Sequence, residues 1–195
     1  MTERLIAYVD GFNLYNGLHD KARCELLWLD LVALVERLRP RSKVVTVRYF
    51  TAPVLGSRSA LQRQNTYQSA LKALHQDRID IVQGRYQTRT VTCRSCGASY
   101  PRREEKETDV SIAVSLVSDS ARQLMDTALL ISADSDLVPA VKAAKLMRPS
   151  LTVIAAFPPK RYSAELDRLM PSSFHIAPSR IRASFLPAQV IDEAG

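Results

Sequence analysis

A chain of 195 residues, 46% of them hydrophobic, is long enough to bury one full core and short for two, so one compact domain is expected. Its 27 Lys and Arg against 20 Asp and Glu leave a formal net charge of +7, which favours an anionic partner such as nucleic acid and is equally compatible with solubility alone. The three cysteines are too few for a disulfide framework, no run approaches the ~18 apolar residues of a membrane span, and the N-terminus lacks a signal-peptide pattern; a cytoplasmic protein is expected.

In chain order, apolar β-branched runs alternate with amphipathic stretches. The first run, 5–10, ends on Asp10, with Gly11 allowing a tight exit and Asn13 close behind. A helical pattern follows over 28–38, where Trp28 and its leucine neighbours read as helix core. Strand 43–50, helix 59–75 and strand 79–86 come next, and segment 87–106 then breaks the rhythm. Helix 107–124, strand 127–132, helix 137–146, strand 151–157 and helix 163–169 restore it. A domain over 1–170 is expected, with a Pro-punctuated tail, 171–195, packing on it through one short helix near 179–185. Continuous apolar strands separated by helices indicate a parallel sheet covered on both faces, a doubly wound α/β fold.

In such a sheet, ligands sit beyond the carboxyl ends of the strands, where loops converge and helix N-termini point. Asp10, Asp134 and Asp136 fall at strand ends, and Asp109 lies in the first turn of a helix whose Val110, Ala113, Val114 and Val117 are expected to face the core. Each acid alone reads as a turn residue or helix cap; together at one rim they would repel, and a divalent cation resolves that. Oxygen-only ligands point to Mg²⁺ or Mn²⁺, and the chemistry that follows is metal-assisted phosphodiester hydrolysis.

Three segments in this order, AYVDGFNLYNG (7–17), EKETDVSIAVSLVSDS (105–120) and DTALLISADSDLVPAVKAA (126–144), resemble the NYN domain of the PIN-like nuclease superfamily, in its LabA-like bacterial branch. The resemblance covers roughly residues 4–160. It implies a PIN-like, Rossmann-like α/β/α sandwich with a mostly parallel central sheet and a Mg²⁺-dependent ribonuclease site. Carried over by position, Asp10, Asp109, Asp134 and Asp136 are its metal-site acids and Asn13 a polar helper at the same rim. Ser115 departs from the family pattern T-D-V-x-x-A-V-D, which places an acid there, and bears on the level of activity.

The inserted segment reads as a basic C-x-x-C hairpin at about 87–106. Cys93 and Cys96, followed by Gly97, have the turn chemistry of a zinc ribbon but supply half of the four ligands a structural zinc takes. Cys24, His19, His75 or a second subunit are the sources left for the rest; a reduced thiol pair tightening a turn is the rival reading. Arg89, Arg94, Arg102, Arg103 and Lys106 in this region, with Lys160 and Arg161 after the fifth strand, are candidate phosphate contacts for a single-stranded or looped RNA. Two other function classes compete with a ribonuclease: an RNA-binding or regulatory module with little turnover, and a metal-dependent small-phosphate hydrolase. Against the last, an aspartyl-phosphate enzyme needs D-x-D after its first strand, where this chain has D-G-F-N. A homodimer is left open.

Overall fold

The computed structural model describes residues 2–22 and 25–190, and only the backbone of Ala22, Arg89 and residues 101–106. Strand β1 (Arg4–Asp10) is buried at every position after Arg4. It leads into α1 (Gly11–Ala22), then α2 (Leu31–Leu38), β2 (Lys43–Thr51), α3 (Arg58–His75) and β3 (Ile79–Gln83). A hairpin of β4 (Arg85–Thr92) and β5 (Ser99–Lys106) comes next, followed by α4 (Thr108–Ala121), β6 (Thr127–Ile131), α5 (Val138–Met147) and β7 (Thr152–Phe157). The chain closes through α6 (Ala164–Leu169), β8 (Phe174–His175) and α7 (Pro178–Arg182).

The sheet has six strands in the order β3-β2-β1-β6-β7-β8, and every pairing within it is parallel. Parallel strands need helical crossovers, and these place apolar layers on both faces. Side chains alternate accordingly along β1. Leu5, Ala7 and Val9 join a core with Leu14 and Leu18 of α1, Leu34 of α2 and Leu71 of α3. Ile6 and Tyr8 join a second core with Ile112 and Leu116 of α4, Val141 of α5 and Leu166 of α6. The expected α/β/α sandwich is therefore present. Among the described residues, no helix is long and apolar enough to cross a membrane.

Several elements depart from the sequence reading. Strand 79–86 divides at Gly84, whose N–H donates to the Thr51 carbonyl at 2.7 Å, so β4 leaves the sheet and pairs antiparallel with β5. Helix α1 occupies a stretch to which the sequence reading assigned no element. Trp28 precedes α2, which starts only after Asp30 caps it by accepting from the Ala33 N–H; the Trp28 indole donates to Pro187 O at 3.0 Å. On α4 the core face carries Ile112 and Leu116, whereas Val110 and Val114 are 64% and 62% exposed; Ala113 and Val117 are partly buried against that core. At 100° per residue the helix cannot turn both sets inward, and the larger Ile112 and Leu116 take the core. In the tail, β8 extends the sheet, Ile181 is buried, and Leu186 N–H donates to Trp28 O at 3.1 Å.

Candidate active site

Strands β1 and β6 lie side by side, with Val9 opposite Ile131. The helix after β1 packs on one face of the sheet and the helix after β6 on the other. The chain thus leaves these two strands in opposite directions, which opens a crevice at their carboxyl ends. Asp10 ends β1 inside it, and Asp134 follows β6.

Asp10 is 4% exposed. Its Oδ1 accepts from the Asn13 N–H at 2.9 Å, which makes it the cap of α1, and its Oδ2 accepts from Ser132 Oγ at 2.7 Å. Ser132 Oγ accepts in turn from the Asp134 N–H at 3.1 Å, and Asn13 Oδ1 accepts from the Ala133 N–H at 3.2 Å. These four bonds tie the start of α1 to the loop after β6 and fix the direction of the Asp10 carboxylate. Asp134 Oδ1 accepts from the Asp136 N–H at 2.9 Å and caps a short 3₁₀ turn, Ser135–Leu137. Asp134 is half-buried; Asp109 and Asp136 are exposed.

Gly11 makes this packing feasible. A Cβ there would stand 2.5 Å from Phe50 O and 2.7 Å from Tyr49 Cε2, both on β2. Since a strand carbonyl cannot swing aside as a flexible side chain does, Gly11→Ala is expected to cost about 1–3 kcal/mol and to displace Asp10. Urea denaturation measures this, and an unchanged midpoint would contradict the close approach.

Burial pushes the Asp10 carboxyl up to about 6, and the Asp109 and Asp134 carboxylates push in the same direction against its two hydrogen bonds. Asp109 and Asp134 thus act on Asp10 electrostatically, and Asp136 is not among the groups that shift it most. Among the described residues, no three His, Cys, Asp or Glu side chains form a group that would hold a metal unaided. The donor chemistry nevertheless fits Mg²⁺ or Mn²⁺, which bind through one or two carboxylates and keep several waters. Asp10, Asp109 and Asp134 are the carboxylates that act on one another here.

Other expected residues are placed elsewhere. Lys160 Nζ donates to Asp20 O at 2.6 Å, and Arg161 pairs with the Asp20 carboxylate. Both are thus committed to the far end of α1, about 14 Å along the helix from Gly11. Arg94 is exposed in the hairpin turn. The side chains of Arg89, Arg102, Arg103 and Lys106, and all of Cys24, lie outside the described residues. Neither histidine joins Cys93 and Cys96: His75 Nε2 sits 2.7 Å from Asp30 Oδ1, and His19 stacks on Tyr15 with centroids 5.8 Å apart. Sequence reasoning missed Ser132, legible only as a polar residue closing an apolar run. It also passed over Phe12 and Tyr15, which stand 57% and 47% exposed on α1.

A family model described as the NYN domain matches residues 4–175. Among curated proteins, 6-hydroxy-3-succinoylpyridine 3-monooxygenase HspA of Pseudomonas putida (strain DSM 28022 / S16) is similar, 27% identical over 168 residues, covering 69% of this chain and 53% of that one. The chain spans about half the length of that relative. No solved structure matches. With the family match spanning nearly the whole described chain and the aspartates at the crevice it frames, the chain belongs to the NYN domain family of the PIN-like nuclease superfamily.

Proposed function

We propose that the chain is a Mg²⁺- or Mn²⁺-dependent ribonuclease whose reaction centre is the crevice between β1 and β6. The observation that carries this reading is Asp10: a buried carboxylate, oriented by two hydrogen bonds and crowded by two further acids. Burying such a group without a countercharge is costly, and a cation beside it relieves both the burial and the repulsion.

Asp10 and Asp134 would hold the ion, and Asp109 would help to set its charge. When bound, the cation supplies Lewis acidity, which favours deprotonation of the attacking water and stabilises charge on the phosphoryl and leaving oxygens. The chain's own part is positioning. Ser132 and Asn13 keep Asp10 in one orientation, so little reorganisation is needed as charge develops. Asp10 gives up its proton near neutrality, and below pH 6 protons compete with the metal for the same oxygens.

Phe12 favours unpaired bases as the substrate, because an exposed ring in the first turn of α1 after Asp10 offers a π-face for stacking, and Tyr15, stacked on His19, lies one turn further along. In the hairpin, Arg94, Arg89, Arg102, Arg103 and Lys106 would add phosphate contacts. Phe12→Ala with Tyr15→Ala is expected to weaken single-stranded RNA binding about tenfold or more, as loss of about 1–3 kcal/mol per stacked base requires. Fluorescence anisotropy in EDTA reads this directly, and unchanged affinity would put the RNA path elsewhere.

The relative's printed name gives that protein as a monooxygenase of 6-hydroxy-3-succinoylpyridine. After β1 this chain has Asp10-Gly11-Phe12-Asn13 in place of the glycine series that cradles a dinucleotide pyrophosphate, and the carboxylates crowded at the crevice are what favour phosphodiester chemistry. The test is a panel of labelled single-stranded, hairpin and duplex RNAs incubated with purified protein in Mg²⁺, Mn²⁺ or EDTA. Metal-dependent cutting of unpaired RNA is expected. RNA retained but uncut in every metal would make the chain a binding module instead.

A further inference from the structure

We propose that Cys93 and Cys96 form half of a tetrathiolate zinc site that a second copy of this chain completes, joining two β4–β5 hairpin tips around one ion. The site is distinct from the aspartate crevice and does not depend on the ribonuclease reading.

Strands β4 and β5 pair from Arg85 opposite Lys106 to Thr92 opposite Ser99, and the two cysteines occupy the turn that follows. The turn is closed by Cys93 N–H donating to Ala98 O at 2.8 Å and Gly97 N–H donating to Cys93 O at 2.9 Å. Gly97 sits at φ +71, a left-handed conformation that glycine adopts at least cost. Within the turn, the N–H groups of Cys96 and Ser95 both donate to the Cys93 sulfur, the Cys96 thiol lies beside it, and together these hold the Cys93 thiol below its usual value. Such a turn brings the two sulfurs side by side, with backbone N–H groups aimed at the first, which is how a C-x-x-C-G turn offers ligands to a soft tetrahedral ion. Both cysteines are unpaired, Cys96 is exposed and Cys93 is half-buried.

A structural zinc takes four such ligands. Among the described residues no third His, Cys, Asp or Glu joins the pair, and His75 is engaged by Asp30. A two-fold axis through the ion supplies the missing pair from an identical tip, as closed homodimers do. Charge supports the same arrangement. Residues 88–100, which make up the tip, contain Arg89 and Arg94 and no acid, so two bare tips carry like charge. Each ligating thiol loses its proton on binding, so four thiols and one Zn²⁺ form a centre of charge −2 and release four protons. That centre is anionic where the flanking arginines are cationic.

The test uses the full reduced chain with Co²⁺ alone, then Zn²⁺ alone. The expected result is the sulfur-to-cobalt charge-transfer absorption of a tetrathiolate site, saturating at one ion per two chains and bleached by Zn²⁺. Light scattering should show a mass that doubles with Zn²⁺ and halves again with a chelator. Cys93→Ser and Cys96→Ser should each remove both signals, whereas Asp10→Asn should keep them. No thiolate absorption would overturn the proposal. So would saturation at one ion per monomer, or loss of the signal in Cys24→Ser, since either means that one chain completes the site. A dimer that persists in chelator and in both serine variants would separate association from the metal and overturn it as well.

Discussion

Replacing Asp10 with Asn is expected to abolish RNA cleavage and, in the metal-free protein, to raise stability at neutral pH. Asparagine keeps the size of the side chain and still accepts from the Asn13 N–H, so the cap of α1 survives. What disappears is the buried charge. Asp10 in the folded chain titrates near 6, above its ordinary 3.8, so the folded state holds a proton that the unfolded chain releases. Stability from this group is therefore full below pH 3.8, is lost as pH rises, and is gone above about 6. The gap corresponds to about 3 kcal/mol at pH 7. Removing the charge should recover a large part of it, and urea unfolding in EDTA at pH 5 and pH 7 reads the difference. Wild type should lose more stability between those two values than Asp10→Asn. Added Mg²⁺ should stabilise wild type more than the variant, because binding to the folded state alone adds stability by mass action. Equal pH dependence in both proteins would contradict the buried, charge-crowded site.

The second large effect is expected far from the crevice, at Asp119. This residue is 2% exposed. Its Oδ2 accepts from the Tyr8 hydroxyl at 2.8 Å and from Arg48 Nε at 2.9 Å, while Arg48 Nη2 donates to Oδ1 at 3.0 Å. Arg48 Nη1 reaches Asp80 Oδ2 at 2.8 Å, so one guanidinium links β2, β3 and α4. Burial, and after it the Asp119 charge, hold the Tyr8 phenol far above its ordinary value, so it remains a donor at every accessible pH. Asp119→Ala leaves Tyr8 without its carboxylate acceptor and Arg48 with one partner in place of two. Breaking a buried pair from one side costs about 3–5 kcal/mol, a large fraction of a domain's stability of about 5–15 kcal/mol. Tyr8→Phe, which removes one hydrogen bond, should cost about 1 kcal/mol. A double replacement of Arg48→Met with Asp119→Leu should be less damaging than the two single changes added together. An unfolding free energy lowered by under about 1 kcal/mol in Asp119→Ala, read by denaturant titration, would remove this network from the stabilising core.

The parallel strands were legible because burial on both faces leaves a continuous apolar run: LIAYV, TALLI and TVIAAF each read as a strand and each is one. Helix α1 was not, since GFNLYNGLHDKA carries two glycines and two asparagines and exposes Phe12 and Tyr15, which hides the helical period. Its glycines answer to neighbours distant in sequence. Gly11 lies against β2, and at Gly17 a Cβ would stand 2.7 Å from Pro159 O. Strand β8 has two residues, too few for any periodicity. The acids of the crevice were legible as residues at strand and helix ends. Their supports were not, because Ser132 reaches Asp10 across 122 positions of sequence. Asp119 and Arg48, 71 positions apart, likewise carry no local sign of their pairing.

The role of the crevice is tested most directly by cleavage of a labelled single-stranded RNA, in Mg²⁺ and in EDTA, by wild type and by Asp10→Asn prepared identically. Cutting by wild type in Mg²⁺ alone, with none by the folded variant in either condition, is the expected result. Equal cutting by the two proteins, or cutting that persists in EDTA, would contradict a metal-dependent centre at Asp10.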